Sequence, residues 1–141
     1  MRNSPGCGCC GAITCSCCSS TPPNQFQVEL VSASVFTCDG GNSFCMDGTT
    51  HILTYDSAES TATGKCTWNG PTVDCSDCSV DVYVKLTIYP VGAACAMDVR
   101  IHFADDSPSN GDYTVSVGPP DKFDCANLVD YDLGGALVTS L

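Results

Sequence analysis

The chain is expected to be all-β: an antiparallel β-sandwich of about eight strands, jelly-roll or immunoglobulin-like, led by a cysteine-rich N-terminal arm. Apolar and polar residues alternate with period two along several long runs. Clusters of Gly, Asn, Asp and Pro separate those runs. No stretch holds the 3.6-residue apolar period of an amphipathic helix.

Residues 1–24 read as the arm. They carry Gly, Ser, Pro and Cys with almost no large apolar side chain, so they cannot build a core of their own. Pro22-Pro23 stiffens the approach to the first strand. The domain proper is 25–141. Phe26, Val28 and Leu30 alternate with Gln25, Gln27 and Glu29. Weaker strands are expected over Ser34 to Cys38, His51 to Tyr55 and Lys65 to Trp68. The cleanest alternation is Val80, Val82, Val84, Leu86 and Ile88 against Asp81, Tyr83, Lys85, Thr87 and Tyr89. Cys95, Met97, Val99, Ile101 and Phe103 repeat it, as do Tyr113, Val115 and Val117, and a last strand is expected over Ala136 to Leu141. Turn chemistry falls at Asp39-Gly40-Gly41-Asn42, Asp47-Gly48, Asn69-Gly70-Pro71, Pro90-Val91-Gly92, Ser109-Asn110-Gly111-Asp112 and Gly118-Pro119-Pro120. Lys122 to Leu128 is the one segment with room for a short helical turn. Two sheets would then pack face to face, with Val82, Val84, Leu86, Val99, Ile101 and Phe103 inside.

Sixteen acids against five bases set a net charge of −11. Fourteen of the acids are Asp, a turn and cap residue, which suits a loop-rich β protein. Arg2, Lys65, Lys85, Arg100 and Lys122 are scattered along the sequence, so no basic stripe for nucleic acid is expected. No apolar run is long enough for a membrane-spanning helix. Met1 to Ser20 lacks the apolar region of a secretory leader, and no Asn-x-Ser/Thr glycosylation site is present. The expectation is synthesis without a signal peptide and oxidation after release into the extracellular medium. The alternative is a leader already removed.

Thirteen cysteines in 141 residues mark a chain stapled in an oxidising place. Six lie in the arm as a doubled CxCC unit: Cys7, Cys9 and Cys10, then Cys15, Cys17 and Cys18. Closely spaced thiolates can wrap a soft metal ion. No histidine lies near them, however, and disulfides within the arm or between arms of neighbouring subunits are favoured; the arm is read as the assembly element, ordered by docking on a neighbouring subunit or by cross-linking to it through these six cysteines. Adjacent cysteines such as Cys9 and Cys10 rarely bond each other, so distant partners are needed. In the domain, Cys38 and Cys45 flank a glycine-rich turn and are expected to close a small loop. Cys66 is expected to pair with Cys75 or Cys78, and Cys95 to be either a buried thiol or the partner of Cys125. Thirteen is odd, so one thiol stays free or bridges chains.

Catalytic constellations are absent. Cys75-Ser-Asp-Cys78 has CxxC spacing but precedes a strand and is flanked by acids, the reverse of a redox-active setting. A four-thiol zinc site built on Cys75 and Cys78 is the metal alternative there. Asp105, Asp106, Asn110 and Asp112 offer oxygens within one loop, a calcium candidate without EF-hand spacing. His51 and His102 are read as facing outward, with no nucleophile forced near them. Trp68 is read as core, beside Cys66.

The succession of a cysteine cluster, a proline, a strand, a cysteine-containing loop, "HILTYD", "KCTWNG", "VDVYVKLTIY", "MDVRIHF" and "FDCANL" resembles a group of cysteine-rich β domains. These recur in planctomycete genomes and in related environmental and phage sequences. The resemblance covers roughly residues 35 to 130. It implies a fold and an extracytoplasmic setting, with no activity, cofactor or site residue to carry over. The expected role is therefore non-enzymatic: a structural or assembly protein, foremost a phage virion component such as a capsid decoration, head-fibre or tail-associated protein. Its expected partners are copies of itself and other structural proteins, with no nucleic acid, no membrane insertion and no cofactor. A secreted or cell-surface bacterial module binding glycan or matrix is the first alternative, and a cysteine-cluster metal-binding protein the second.

Overall fold

The computed structural model describes residues 14–31, 36–38, 41–43, 45–60, 64–75, 80–104, 113–117 and 122–141. The strands are β1 (Gln25–Leu30), β2 (Phe36–Cys38), β3 (Gly41–Ser43), β4 (Thr50–Tyr55), β5 (Cys66–Asn69), β6 (Val73–Cys75), β7 (Val80–Val91), β8 (Ala94–Phe103), β9 (Tyr113–Val117), β10 (Tyr131–Asp132) and β11 (Ala136–Ser140). All eight expected strands are present; the three additions, β3, β6 and β10, are too short to show an alternation. The expected helical turn over Lys122 to Leu128 is not formed. Phe123, Cys125 and Leu128 instead point inward from an irregular, turn-containing segment that leaves Ala126 exposed. The one helical turn described is 3₁₀, Ser57–Glu59, started by Asp56, whose carboxylate accepts from the Ala58 amide at 2.9 Å.

The strands form one antiparallel sheet in the order β10-β11-β1-β4-β5-β7-β8-β9, with β6 also on β7; β2 and β3 pair separately. The fold is thus all-β and antiparallel as expected, but its hydrogen-bonded ladder runs unbroken across what a sandwich would divide between two sheets. Neighbouring strands lie about 4.8 Å apart, so β1 and β5, separated by β4, are roughly twice that apart in a flat sheet. The Phe26 and Trp68 rings nevertheless meet edge to face at 4.9 Å between centroids, a mark of how far the sheet curls.

One face of this sheet holds the core. The ladder places Val28 opposite Val138 and His51, Trp68 opposite Leu86, Leu86 opposite Val99, and Val84 opposite Ile101. All are buried. The six residues expected inside on β7 and β8 are inside, and Trp68 is fully buried, with its indole N–H donating to the Pro23 carbonyl at 3.1 Å. The second layer over this face is coil rather than sheet. Cys15 and Cys17 come from the N-terminal segment, Met46 from the β3–β4 connection, and Phe123, Cys125, Leu128 and Leu133 from the segments flanking β10. Coil can serve as a layer only if something fixes it, and disulfides do so here.

The β7–β8 hairpin sets the geometry of the outer face. Val91 pairs with Ala94 across Gly92-Ala93, and Gly92 has φ +60° while Ala93 does not enter the positive region. A positive φ at the first central residue alone is the type II′ arrangement, whose twist matches that of the strands.

Candidate functional site

The N-terminal segment folds into a tight turn at its cysteines, closed by the Cys18 N–H donating to the Cys15 carbonyl at 3.0 Å. Cys15 and Cys17 turn onto the core face and bond Cys66 at the start of β5 and Cys95 at the start of β8. Cys18 packs against the same core, half-buried, and bonds the buried Cys125. Backbone hydrogen bonds lace the same region: Phe123 N–H to the Cys17 carbonyl and Ser19 N–H to the Phe123 carbonyl, each at 2.8 Å. The Ser20 hydroxyl donates to Asp124 at 2.5 Å and accepts from the Ala126 amide at 3.0 Å. With Ser20 and Asn127 both donating to it, the Asp124 carboxyl is held below its ordinary pKa. A fourth bridge joins Cys45 to Cys75.

These pairings replace the expected ones. Cys66 bonds Cys15 rather than Cys75 or Cys78, Cys95 bonds Cys17 rather than Cys125, and Cys45 bonds Cys75 rather than Cys38. The physical reason is the curl: sequence-local partners would close loops on one edge, whereas the bridges formed tie coil to sheet across separations of 51 and 78 residues and coil to coil across 107. The arm was expected to dock on a neighbouring subunit; its Cys15, Cys17 and Cys18 bond their own domain instead. Cys7, Cys9, Cys10, Cys78 and the Cys38 side chain lie outside the described residues, as do Asp105, Asp106, Asn110 and Asp112. Among the described residues no group of three His, Cys, Asp or Glu is placed to hold a metal ion, no cysteine is free, and no helix is long and apolar enough to cross a membrane.

Of the two histidines, His102 is on the outer face as expected, edge to face with Tyr83 at 5.4 Å. His51 is not: it shares the phase of Leu53 and is buried, leaving Ile52 exposed. Its Nε2 lies 2.7 Å from the Thr49 hydroxyl, which itself donates to the Met46 carbonyl at 2.6 Å. A hydroxyl has one proton to give, so Nε2 carries the hydrogen and donates to Thr49. Burial lowers the pKa of this imidazole.

On the opposite face of the sheet, β5, β7 and β8 form a groove of about 270 Å³ lined by Lys65, Thr67, Lys85, Thr87, Tyr89, Asp98 and Arg100. The register puts Lys85 opposite Arg100 and Thr87 opposite Asp98. The bases scattered in sequence are therefore gathered in space: three of the five line one groove. Tyr89 and Ser116 hydroxyls both donate to Asp98 Oδ1, at 3.1 and 2.6 Å. Burial, and then the charge and hydrogen bond of Asp98, raise the Tyr89 pKa, while the Arg100 charge opposes them. No histidine or cysteine lines the groove. Its chemistry is that of binding an anion with a hydroxyl-bearing neighbour.

Comparison of the chain with family models, with curated proteins and with solved structures finds no match. The class is thus defined by the chain's own structure: a disulfide-stapled, curled antiparallel β domain suited to an oxidising environment.

Proposed function

We propose that this chain is a non-enzymatic structural protein of a phage virion, a capsid decoration, head-fibre or tail-associated component that associates with copies of itself and with other structural proteins. The observation that supports the reading is the use made of the disulfides. Three of the four described bridges spend covalent bonds on tying coil to strands of the sheet. Hardening of this sort serves a part that must keep its shape outside a cell, and it takes Cys15, Cys17 and Cys18 out of any thiolate metal cluster. Thirteen cysteines cannot all pair within one chain. The assembly role expected of the arm therefore passes to Cys7, Cys9 and Cys10, as links between neighbouring copies.

The test is mass spectrometry on particles and on culture supernatant from the source organism, without reductant. Many copies of the chain in purified particles, some recovered as peptides linked through Cys7, Cys9 or Cys10 of two chains, are expected. Recovery only from supernatant or cell wall sinks the virion reading.

A further inference from the structure

We propose that the outer-face groove of β5, β7 and β8 binds an acidic sugar, a saccharide unit whose oxyanion is held by Lys65, Lys85 and Arg100 and whose hydroxyls meet Thr87 and Asp98. The proposal does not depend on the virion reading. It starts from an imbalance. A chain of net charge −11 has five cationic side chains, and three of them line a single groove. Two of these, Lys85 and Arg100, are directly opposite across the β7–β8 ladder. Side chains so placed have Cβ atoms about 5 Å apart, and the Lys85 ammonium also lies over the Tyr83 ring, 5.7 Å from its centroid. An anion seated between them gains charge-assisted hydrogen bonds, with the guanidinium offering two parallel donors to a carboxylate or sulfate.

The groove also carries an acceptor. Tyr89 and Ser116 hold Asp98 by the same oxygen, Oδ1, which fixes the carboxylate while its other oxygen keeps acceptor capacity. A site for a bare anion gains nothing from a fixed carboxylate; a site for an anion beside hydroxyl groups does. At about 270 Å³ the space lies just below the range of sites for drug-sized ligands, about 300–1,000 Å³, and suits one small unit of a longer glycan. The floor is a pair of long strands in fixed register, so the groups need little reorganisation on binding.

The test is calorimetric titration of the full, oxidised chain with an oligogalacturonate, with its methyl-esterified neutral counterpart, and with sodium sulfate alone. The oligogalacturonate is expected to bind, more weakly as salt rises, and the neutral ester about tenfold or more weakly. Arg100→Gln and Lys85→Gln are each expected to weaken binding about tenfold. Melting curves confirm that both variants are folded. The proposal is overturned if no acidic saccharide binds, if the ester binds equally, or if the two variants bind as the parent does. Sulfate binding as tightly as the saccharide overturns the assignment of hydroxyl recognition. Salt-sensitive self-association lost in Arg100→Gln, with no saccharide binding, overturns it in favour of an acidic segment of a second copy.

Discussion

Removal of the Cys17–Cys95 bridge tests the idea that coil, once fastened, serves as the second layer of this fold. Taken alone, the bridge closes a separation of 78 residues, for which the chain-entropy relation predicts about 4.5 kcal/mol of stabilisation. It does not act alone. With Cys15–Cys66 intact, the shortest path from Cys17 to Cys95 runs back to Cys15, across to Cys66 and forward to Cys95, about 31 residues, which lowers the entropic gain to about 3.7 kcal/mol. The path through Cys18–Cys125 is equally short. At this chain length about 3 °C accompanies each kcal/mol, so the double variant Cys17→Ala/Cys95→Ala should melt about 11 °C below the parent. The assay is calorimetry on protein whose other three described bridges have been mapped without reductant. A larger denaturant m-value should accompany the shift, because the unfolded chain is less constrained. A drop below about 3 °C would refute the reasoning from the unfolded state. Complete unfolding at room temperature would show that the sheet lacks a self-sufficient core.

Val84→Asp places a carboxylate at a fully buried site opposite Ile101, at a cost of about 4 kcal/mol or more; a soluble, folded variant by circular dichroism would contradict the assigned face. His51 has a lowered folded pKa, so the unfolded state takes up its proton first on acidification. Stability should hold above pH ~6.5 and fall as pH drops from there through the folded pKa. Melting at neutral pH and near pH ~5 should show a loss in the parent that His51→Gln lacks, and an equal loss in both would remove His51 as the cause. Gly64 and Gly92 both have positive φ, but a Cβ at Gly92 meets nothing within 4 Å whereas one at Gly64 collides with Ser16 Oγ. Gly92→Ala should therefore cost about 2 kcal/mol from its backbone alone and Gly64→Ala more, part of the excess being relieved in a Ser16→Gly background. An additive double-mutant cycle would show that Ser16 is not packed against Gly64.

What could be read from the sequence was whatever the period-two pattern controls. Val82 to Ile88 and Cys95 to Phe103 face inward because alternation leaves them no other choice, and that made the core of β7 and β8 legible. The same rule, followed strictly, puts His51 inside with Leu53; reading it as outward let its polarity override its phase. The groove was legible in part. A two-residue turn at Gly92-Ala93 pairs Val91 with Ala94 and, counting outward, Lys85 with Arg100. Lys65 joins them only because β5 pairs with β7 across an intervening stretch, which no local pattern encodes. The disulfides were illegible for the same reason. Which cysteines meet depends on the curl of the whole sheet and on coil laid across it.

The stapling also imposes an order in time. Cys18 cannot meet Cys125 until a further 107 residues have been made, about 5–20 s of synthesis. Cys17 must likewise wait for Cys95, and Cys15 for Cys66. During that interval the nearest available thiols are those of the neighbouring CxCC unit, Cys7, Cys9 and Cys10. An oxidant acting on the emerging chain would therefore favour short-range mispairing, to be undone later by exchange. A chain that finishes, curls its sheet and only then meets an oxidant has Cys66, Cys95 and Cys125 already in place to receive the segment. Delay, in this architecture, is itself a means of choosing the right bonds.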